Sequence, residues 1–156
     1  MQILKALEYV HANKVAHCDI KIENVLYDDV SGKVTLIDFG GSVKLEEVEN
    51  CESRDIFCTP AYLAPEQIAS GKLVDLQKTD VWALGVLLFK MATGLFPFRA
   101  KTEPDLKKKI LKGEYSVPST VSLSIELRQL LQSLLSTEER RPRISEITSD
   151  PWLLDN

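Results

Sequence analysis

Between Val81 and Ala92 only Gly85 and Lys90 interrupt a run of apolar side chains. A helix on a protein surface carries one apolar stripe, whereas a helix apolar on every side is buried among other elements. The run is too short to cross a bilayer, which takes about 20 apolar residues. It predicts a buried central helix over about 80–93, with Thr79 or Asp80 as N-cap and Gly94 and Pro97 at its end. Upstream, Ile3, Leu7 and Val10 share one helical face with Leu4 and Ala6 beside it, predicting a helix over 2–13. Short strands over 25–27 and 33–37 flank the turn-forming residues 28–32 and read as a β-hairpin. Downstream, 104–112 reads as a helix and 145–148 as the start of the last short one. Apolar residues at 123, 127, 130, 131, 134 and 135 form a core-facing stripe. The predicted fold is mainly α with a small β-hairpin.

The hairpin also gathers chemistry. Residues 15–24 alternate loosely between apolar and polar, and four of the polar ones are His17, Asp19, Lys21 and Asn24. They lie just before the first strand, and Asp38 lies just after the second. Pairing the strands therefore brings two carboxylates, an amide and an ammonium to one mouth.

Composition narrows the setting. A chain of 156 residues is one domain by length, and 44% apolar with 27% charged residues is ordinary for a globular protein. A net charge of −4 argues against nucleic-acid binding. Cys18, Cys51 and Cys58 are odd in number, lack zinc-like spacing, and stand beside only two histidines. Reduced thiols in an intracellular protein, cytoplasmic or nuclear, are the expectation. The sequence has no signal-like start and no membrane-spanning run.

His17-Cys-Asp-Ile-Lys-Ile-Glu-Asn24 resembles the protein-kinase catalytic loop, H-R-D-x-K-x-x-N. Asp38-Phe39-Gly40 matches D-F-G and Ala64-Pro65-Glu66 matches A-P-E, in the family's order. Asp80-Val-Trp-Ala-Leu-Gly85 resembles the start of the family's central helix. Arg141-Pro142 and Asp150-Pro-Trp-Leu153 resemble its last helices. The resemblance covers essentially the whole chain, 1–156, as the C-terminal lobe of a kinase domain.

The resemblance implies ATP and Mg2+ as cofactors and phosphoryl transfer to Ser/Thr hydroxyls of protein substrates. Asp19 would accept the substrate hydroxyl proton, and Lys21 would steady the transferred group. Asn24 and Asp38 would hold magnesium through oxygen ligands. Leu26 would floor the adenine. Glu23 would lie at the nucleotide side of the loop and favours basic substrates in the family. Thr59 would position substrate through Asp19 and Lys21. His17, Phe39 and Gly40 would support the two aspartates, and Asp80 would accept loop amide hydrogens. Glu66 and Arg141 would form a buried ion pair. Lys21, two residues after Asp19, and the 58–66 stretch follow the serine/threonine pattern, nearest to calcium/calmodulin-dependent and AMP-activated types.

Departures from the family pattern matter as much. Cys18 stands where relatives carry an Arg that pairs with an activation-segment phosphate, and is expected to be an inert small residue. The usual phosphosite falls near Asp55, with Ser53 the nearest hydroxyl. Lys90 replaces an acid common in kinases directed to basic peptides. Lys107 to Lys109 are expected to be a solvated face rather than a docking patch. No G-x-G-x-x-G and no strand lysine of the V-A-I-K type occurs in the 156 residues, so the N-terminal lobe is expected to be absent. The alternative is a non-catalytic, pseudokinase-like or truncated module that binds kinase partners or substrates. A small-molecule phosphotransferase shares a related loop but lacks an A-P-E segment, which counts against it.

Overall fold

The computed structural model describes residues 2–46, 59–69 and 74–154. Cys51, Ser53, Asp55 and Cys58 lie outside the described residues. Helix α1 (Gln2–Ala12) runs into a short strand β1 (Val15–Ala16), then a 3-10 turn (Ile22–Asn24). Strands β2 (Val25–Asp28) and β3 (Lys33–Leu36) form an antiparallel hairpin with Val25 opposite Leu36. Strand β4 (Val43–Lys44) returns antiparallel to β1. A further 3-10 turn (Pro60–Tyr62) precedes α2 (Pro65–Ile68) and the long α3 (Leu76–Thr93). Helices α4 (Glu103–Lys112), α5 (Ile125–Leu134), α6 (Ile144–Ile147) and α7 (Pro151–Leu154) complete the chain. The architecture is mainly α, with two small two-stranded sheets.

Helix α3 is longer than its apolar run. It starts at Leu76 because Asp75 caps it, accepting hydrogen bonds from the Gln77 and Lys78 amides. This corrects the expected N-cap at Thr79 or Asp80. Both lie inside the helix, so the Asp80 carboxylate is free to reach another element. The helix ends at Gly94, whose φ of 74° closes the last turn with its amide on the Lys90 carbonyl. Val81, Trp82, Leu84, Val86 and Leu87 are all buried, whereas Met91 near the end faces solvent. Lys90 lies over the Phe96 ring, 4.2 Å from its centroid, a cation–π contact.

The other helices pack around α3. On α1 the buried line is Leu4, Leu7 and His11, while Ile3 and Val10 are half-buried. The face is thus rotated by about one residue from the expected Ile3–Leu7–Val10 line, because His11 turns inward to a polar partner. The predicted stripe of α5 faces the core as expected, with Leu127, Leu130, Leu131 and Leu134 buried. It meets α3 at Gly85. A Cβ at Gly85 would stand 2.8 Å from Leu134 Cβ and 3.0 Å from Leu135 Cδ2. The missing side chain is what allows the two helices to approach this closely. The short sheet of β1 and β4 was not expected from the sequence, since two-residue strands carry no readable alternation. Among the described residues no helix is long and apolar enough to cross a membrane.

One buried ion pair ties α2 to this core. The Arg141 guanidinium is 1% exposed. It donates to both carboxylate oxygens of Glu66, to the Lys78 carbonyl at 2.8 Å and to the Ser136 carbonyl at 2.9 Å. It also lies 4.9 Å from the centroid of the Trp82 ring.

Two stability measurements follow. In an exposed helix Gly→Ala gains about 1 kcal/mol. Gly85→Ala should instead lower stability in urea denaturation by roughly 1–3 kcal/mol, because a packed core resists added volume. A gain would show that α3 and α5 are not closely packed at that point. Glu66→Ala should cost about 3–5 kcal/mol, since it strands a buried guanidinium. A loss within experimental error would mean the pair does not secure α2.

Candidate active site

The segment after α1 is held in an unfavourable backbone shape. Lys14, Cys18 and Asp38 all take positive φ, at 58°, 65° and 65°. Side chains with a Cβ usually avoid that region, at a cost of about 1–2 kcal/mol each. For Cys18 the shape is imposed from α3. The Asp80 carboxylate accepts the His17 amide at 2.7 Å through Oδ2 and the Cys18 amide at 2.8 Å through Oδ1. Asp80 is 1% exposed. Its Oδ2 also accepts from His11 Nε2 at 2.9 Å. Gln77, one turn earlier, donates to the His11 and Val15 carbonyls at 2.9 and 3.3 Å. The first turns of α3 thus grip the end of α1 and the start of the 17–24 loop.

His17 carries the constraint onward. Its Nδ1 accepts from the Asp19 amide at 3.3 Å, and its Nε2 donates to the Ile37 carbonyl at 3.1 Å. These partners place the ring proton on Nε2. The Phe39 ring meets the His17 ring edge-on at a centroid distance of 4.7 Å. The fully buried imidazole therefore spans from the loop to the residue preceding Asp38.

Asp19, Lys21 and Asn24 converge on one carboxylate oxygen. Asp19 Oδ2 accepts from Lys21 Nζ at 2.7 Å and from Asn24 Nδ2 at 2.9 Å. Asn24 also donates to the Asp19 carbonyl at 2.8 Å. Among the described residues nothing donates to Asp19 Oδ1, so that oxygen remains available. The Asp19 hydrogen bond holds the Lys21 ammonium above its ordinary pKa, with weaker contributions from the charges of Glu23 and Asp38.

Asp38 reaches the cluster through the hairpin. The Ile37 amide donates to the Asn24 carbonyl at 2.9 Å, extending the strand pairing by one step beyond β2 and β3. Asp38 follows directly and is exposed. Its Oδ1 accepts from the Gly40 amide at 3.2 Å, and a Cβ at Gly40 would stand 3.2 Å from that same oxygen. Among the described residues no hydrogen bond or ion pair joins Asp38 to Asp19, Lys21 or Asn24.

The remaining expected site residues lie around this group. Leu26 is 53% exposed on the open side of the hairpin, and Glu23 is exposed beside it. Thr59 opens the Pro60–Tyr62 turn, its carbonyl accepting the Tyr62 amide at 2.9 Å. The buried Tyr62 hydroxyl accepts from the Ile22 amide at 3.3 Å and ties the 59–69 segment to the loop. Glu66 and Arg141 stand further back, in the ion pair already described. Cys18 is buried, with its Sγ 3.7 Å from the Ala16 carbonyl. It offers no cationic group. His11 and Gln77 were missed by the sequence reading. Yet His11 falls at helical spacing from Leu4 and Leu7, and a polar residue on a buried stripe signals a polar partner.

The donor set suits a hard, partly hydrated cation. Among the described residues no group of three or more His, Cys, Asp or Glu could hold a metal alone. The amide oxygen of Asn24 and the carboxylate of Asp38 are two oxygen donors brought near each other by the strand pairing. Mg2+ commonly takes one or two carboxylates and completes its shell with water and phosphate oxygens.

Comparison with known proteins identifies the family. The family model "Protein kinase domain" matches residues 1–153. Sperm motility kinase Z of Mus musculus is 38% identical over 98% of this chain, which covers 30% of that protein. Serine/threonine-protein kinase SAPK2 of Oryza sativa subsp. indica is 36% identical over 99% of this chain, which covers 47% of that protein. Serine/threonine-protein kinase SRK2C of Arabidopsis thaliana is also 36% identical over 99% of this chain, covering 46% of that protein. The chain thus spans between 30% and 47% of the length of these relatives. With the matching model running over nearly all of its residues, the chain belongs to the protein kinase family.

Proposed function

We propose that the chain is the C-terminal lobe of a serine/threonine protein kinase and carries the catalytic half of its active site. The observation that supports this best is the Asp19 carboxylate, with Oδ2 held by Lys21 and Asn24 and Oδ1 without a donor among the described residues. A general base needs an acceptor fixed in direction and open on one side. Asp19 is the residue we assign to accept the hydroxyl proton of a substrate Ser or Thr. The Lys21 ammonium, held in place by the same carboxylate, lies where negative charge would develop on the transferred group. Asn24 and Asp38 would hold Mg2+ through oxygen. Leu26, on the exposed face of the hairpin, would meet the adenine, with Glu23 alongside. Thr59, at the head of the Pro60–Tyr62 turn, would position substrate. When bound, magnesium ATP supplies the phosphoryl group and neutralises its charge.

The serine/threonine assignment rests on Lys21 and on the printed names of the plant relatives. Transfer by this route also needs a glycine-rich loop and a strand lysine, neither of which occurs in these 156 residues. Full activity is therefore a property we assign to a protein that supplies both. Cys18, which is buried and has no cationic group to pair with a phosphate, supports activity that does not depend on an activation-segment phosphate.

Asp19→Asn is the test, made in a protein that contains this chain within a complete kinase domain. Phosphate transfer to a Ser/Thr protein substrate should fall by at least about 10²–10⁴-fold, the usual worth of a positioned base. The far-UV spectrum and melting temperature should change little. In the same variant the Lys21 pKa should fall back towards its ordinary value of 10.5, followed by NMR of the side-chain ammonium. Near-normal turnover in a folded variant would rule out Asp19 as the base. An unmoved Lys21 would show that the ion pair does not form.

A further inference from the structure

A cavity of about 440 Å³ opens where the chain leaves α4, away from the residues of the candidate active site. Arg99, Lys109 and Lys112 line it, together with Tyr115 and Ser116. The other two lysines of the 107–109 run are occupied. Lys107 pairs with Glu103 at 2.8 Å and Lys108 with Asp105 at 3.5 Å. Asp105 also accepts the Thr102 hydroxyl at 2.8 Å and does not line this cavity. Lys109 is held in place by donating to the Arg99 carbonyl at 2.7 Å. Among the described residues no carboxylate pairs with Arg99, Lys109 or Lys112. One carboxylate does line the cavity, that of Glu114. Three cations against one anion leave the lining at +2. The wall behind them is rigid. The Tyr115 ring meets Phe89 and Phe98 edge-on at 5.5 and 5.8 Å, and Phe98 stacks on the buried Trp82 at 5.7 Å. Burial pushes the Tyr115 phenol above its usual pKa, so its hydroxyl stays protonated and adds no negative charge.

We propose that this cavity binds the phosphate group of a small phosphorylated molecule, held by the Arg99 guanidinium and the Lys109 and Lys112 ammonium groups. The charges match: a phosphate monoester carries about −1.5 to −2 at pH 7. A guanidinium takes two phosphate oxygens in one fork, and each ammonium acts as a point charge on the others. Two features oppose an anion here. One is the Glu114 carboxylate. The other is the carbonyl end of α4, which Lys109 and Lys112 in its last turn offset. The volume selects the size of the ligand. Small-molecule sites occupy about 300–1,000 Å³, so this one has room for the body of an ester beyond its phosphate. Ser116 and Glu114 are polar groups left for that body. The inference concerns binding alone and stands whether or not Asp19 transfers phosphate.

The test is an NMR titration of the 156-residue chain with inorganic phosphate and with glycerol phosphate at constant ionic strength. Both should shift the Gly113, Glu114 and Tyr115 amides along a saturable curve, and acetate should not. The double variant R99Q/K112Q should bind at least about tenfold more weakly, since it loses two charge-assisted hydrogen bonds. Glu114→Gln, which removes the opposing carboxylate, should bind about two- to fivefold more tightly. The control K5Q/K33Q, which removes two exposed cations elsewhere, should bind as the parent does. If R99Q/K112Q fails to fold by circular dichroism, Lys112→Gln alone gives the same comparison with a smaller loss. Equal shifts with acetate, shifts confined to the 17–24 loop, or no shift at 113–115 would overturn the proposal. So would unchanged affinity in R99Q/K112Q, equal loss in the control, or weaker binding by Glu114→Gln. A phosphoserine peptide that binds at least about tenfold more tightly than glycerol phosphate would also overturn it, by making a phosphorylated protein the occupant.

Discussion

The carboxylate of Asp80 is the contact on which the site depends. It lies in the interior of the buried helix α3 yet spends its oxygens on other elements: the His17 and Cys18 amides and the His11 ring. A buried carboxylate is costly unless its oxygens are hydrogen-bonded. Here that requirement is met by two successive amides, those of His17 and Cys18, which ties the 14–18 backbone to the helix. The left-handed turn at Cys18 follows from this, and the direction of Asp19 follows from the turn. His17 then passes the geometry to Ile37 and hence to Asp38. A single fixed acceptor thus orients residues drawn from three separate elements.

Helix α3 can hold such an acceptor because it is itself immobilised on all sides. Asp75 and Gly94 set its ends, Gly85 lets α5 approach, and Trp82 is packed between Phe98 and the Arg141 guanidinium. Arg141 does for the Pro60–Ile68 region what Asp80 does for the loop: a buried charge satisfied by several partners fixes a segment with little regular structure. Both devices place irregular backbone, where substrates are commonly handled, on a rigid core. The hairpin and its flanks are a contrast. Ile22, Leu26, Tyr27 and Phe39 are all exposed there.

The elements with strong periodicity were legible in the amino-acid sequence. The stripe from Leu123 to Leu135 needs only helical spacing, and the hairpin needs only two apolar runs around a turn. Boundaries set by capping were less legible. Asp75 and Asp80 both suit an N-cap by residue type, and what decides between them is that Asp80 has buried partners elsewhere. The inward turn of His11 was likewise invisible to an apolar-stripe criterion, because hydrogen bonding to Asp80 makes a polar residue part of the core. The pairing of β1 with β4 joins residues far apart in the chain through too few side chains to leave a pattern. For the candidate site, the hairpin argument alone placed Asp38 near Asn24. The sharing of one Asp19 oxygen between Lys21 and Asn24 is a matter of side-chain direction, which spacing does not encode.

Amide hydrogen exchange on Asp80→Ala tests the central claim most directly. Each lost hydrogen bond from a buried amide is worth about 1–3 kcal/mol. The His17 and Cys18 amides should therefore exchange at least about tenfold faster than in the unaltered chain, while the α3 amides from Val81 to Leu87 keep their protection. Unchanged protection at His17 and Cys18, with α3 intact, would contradict the account and show that the loop holds its shape without Asp80.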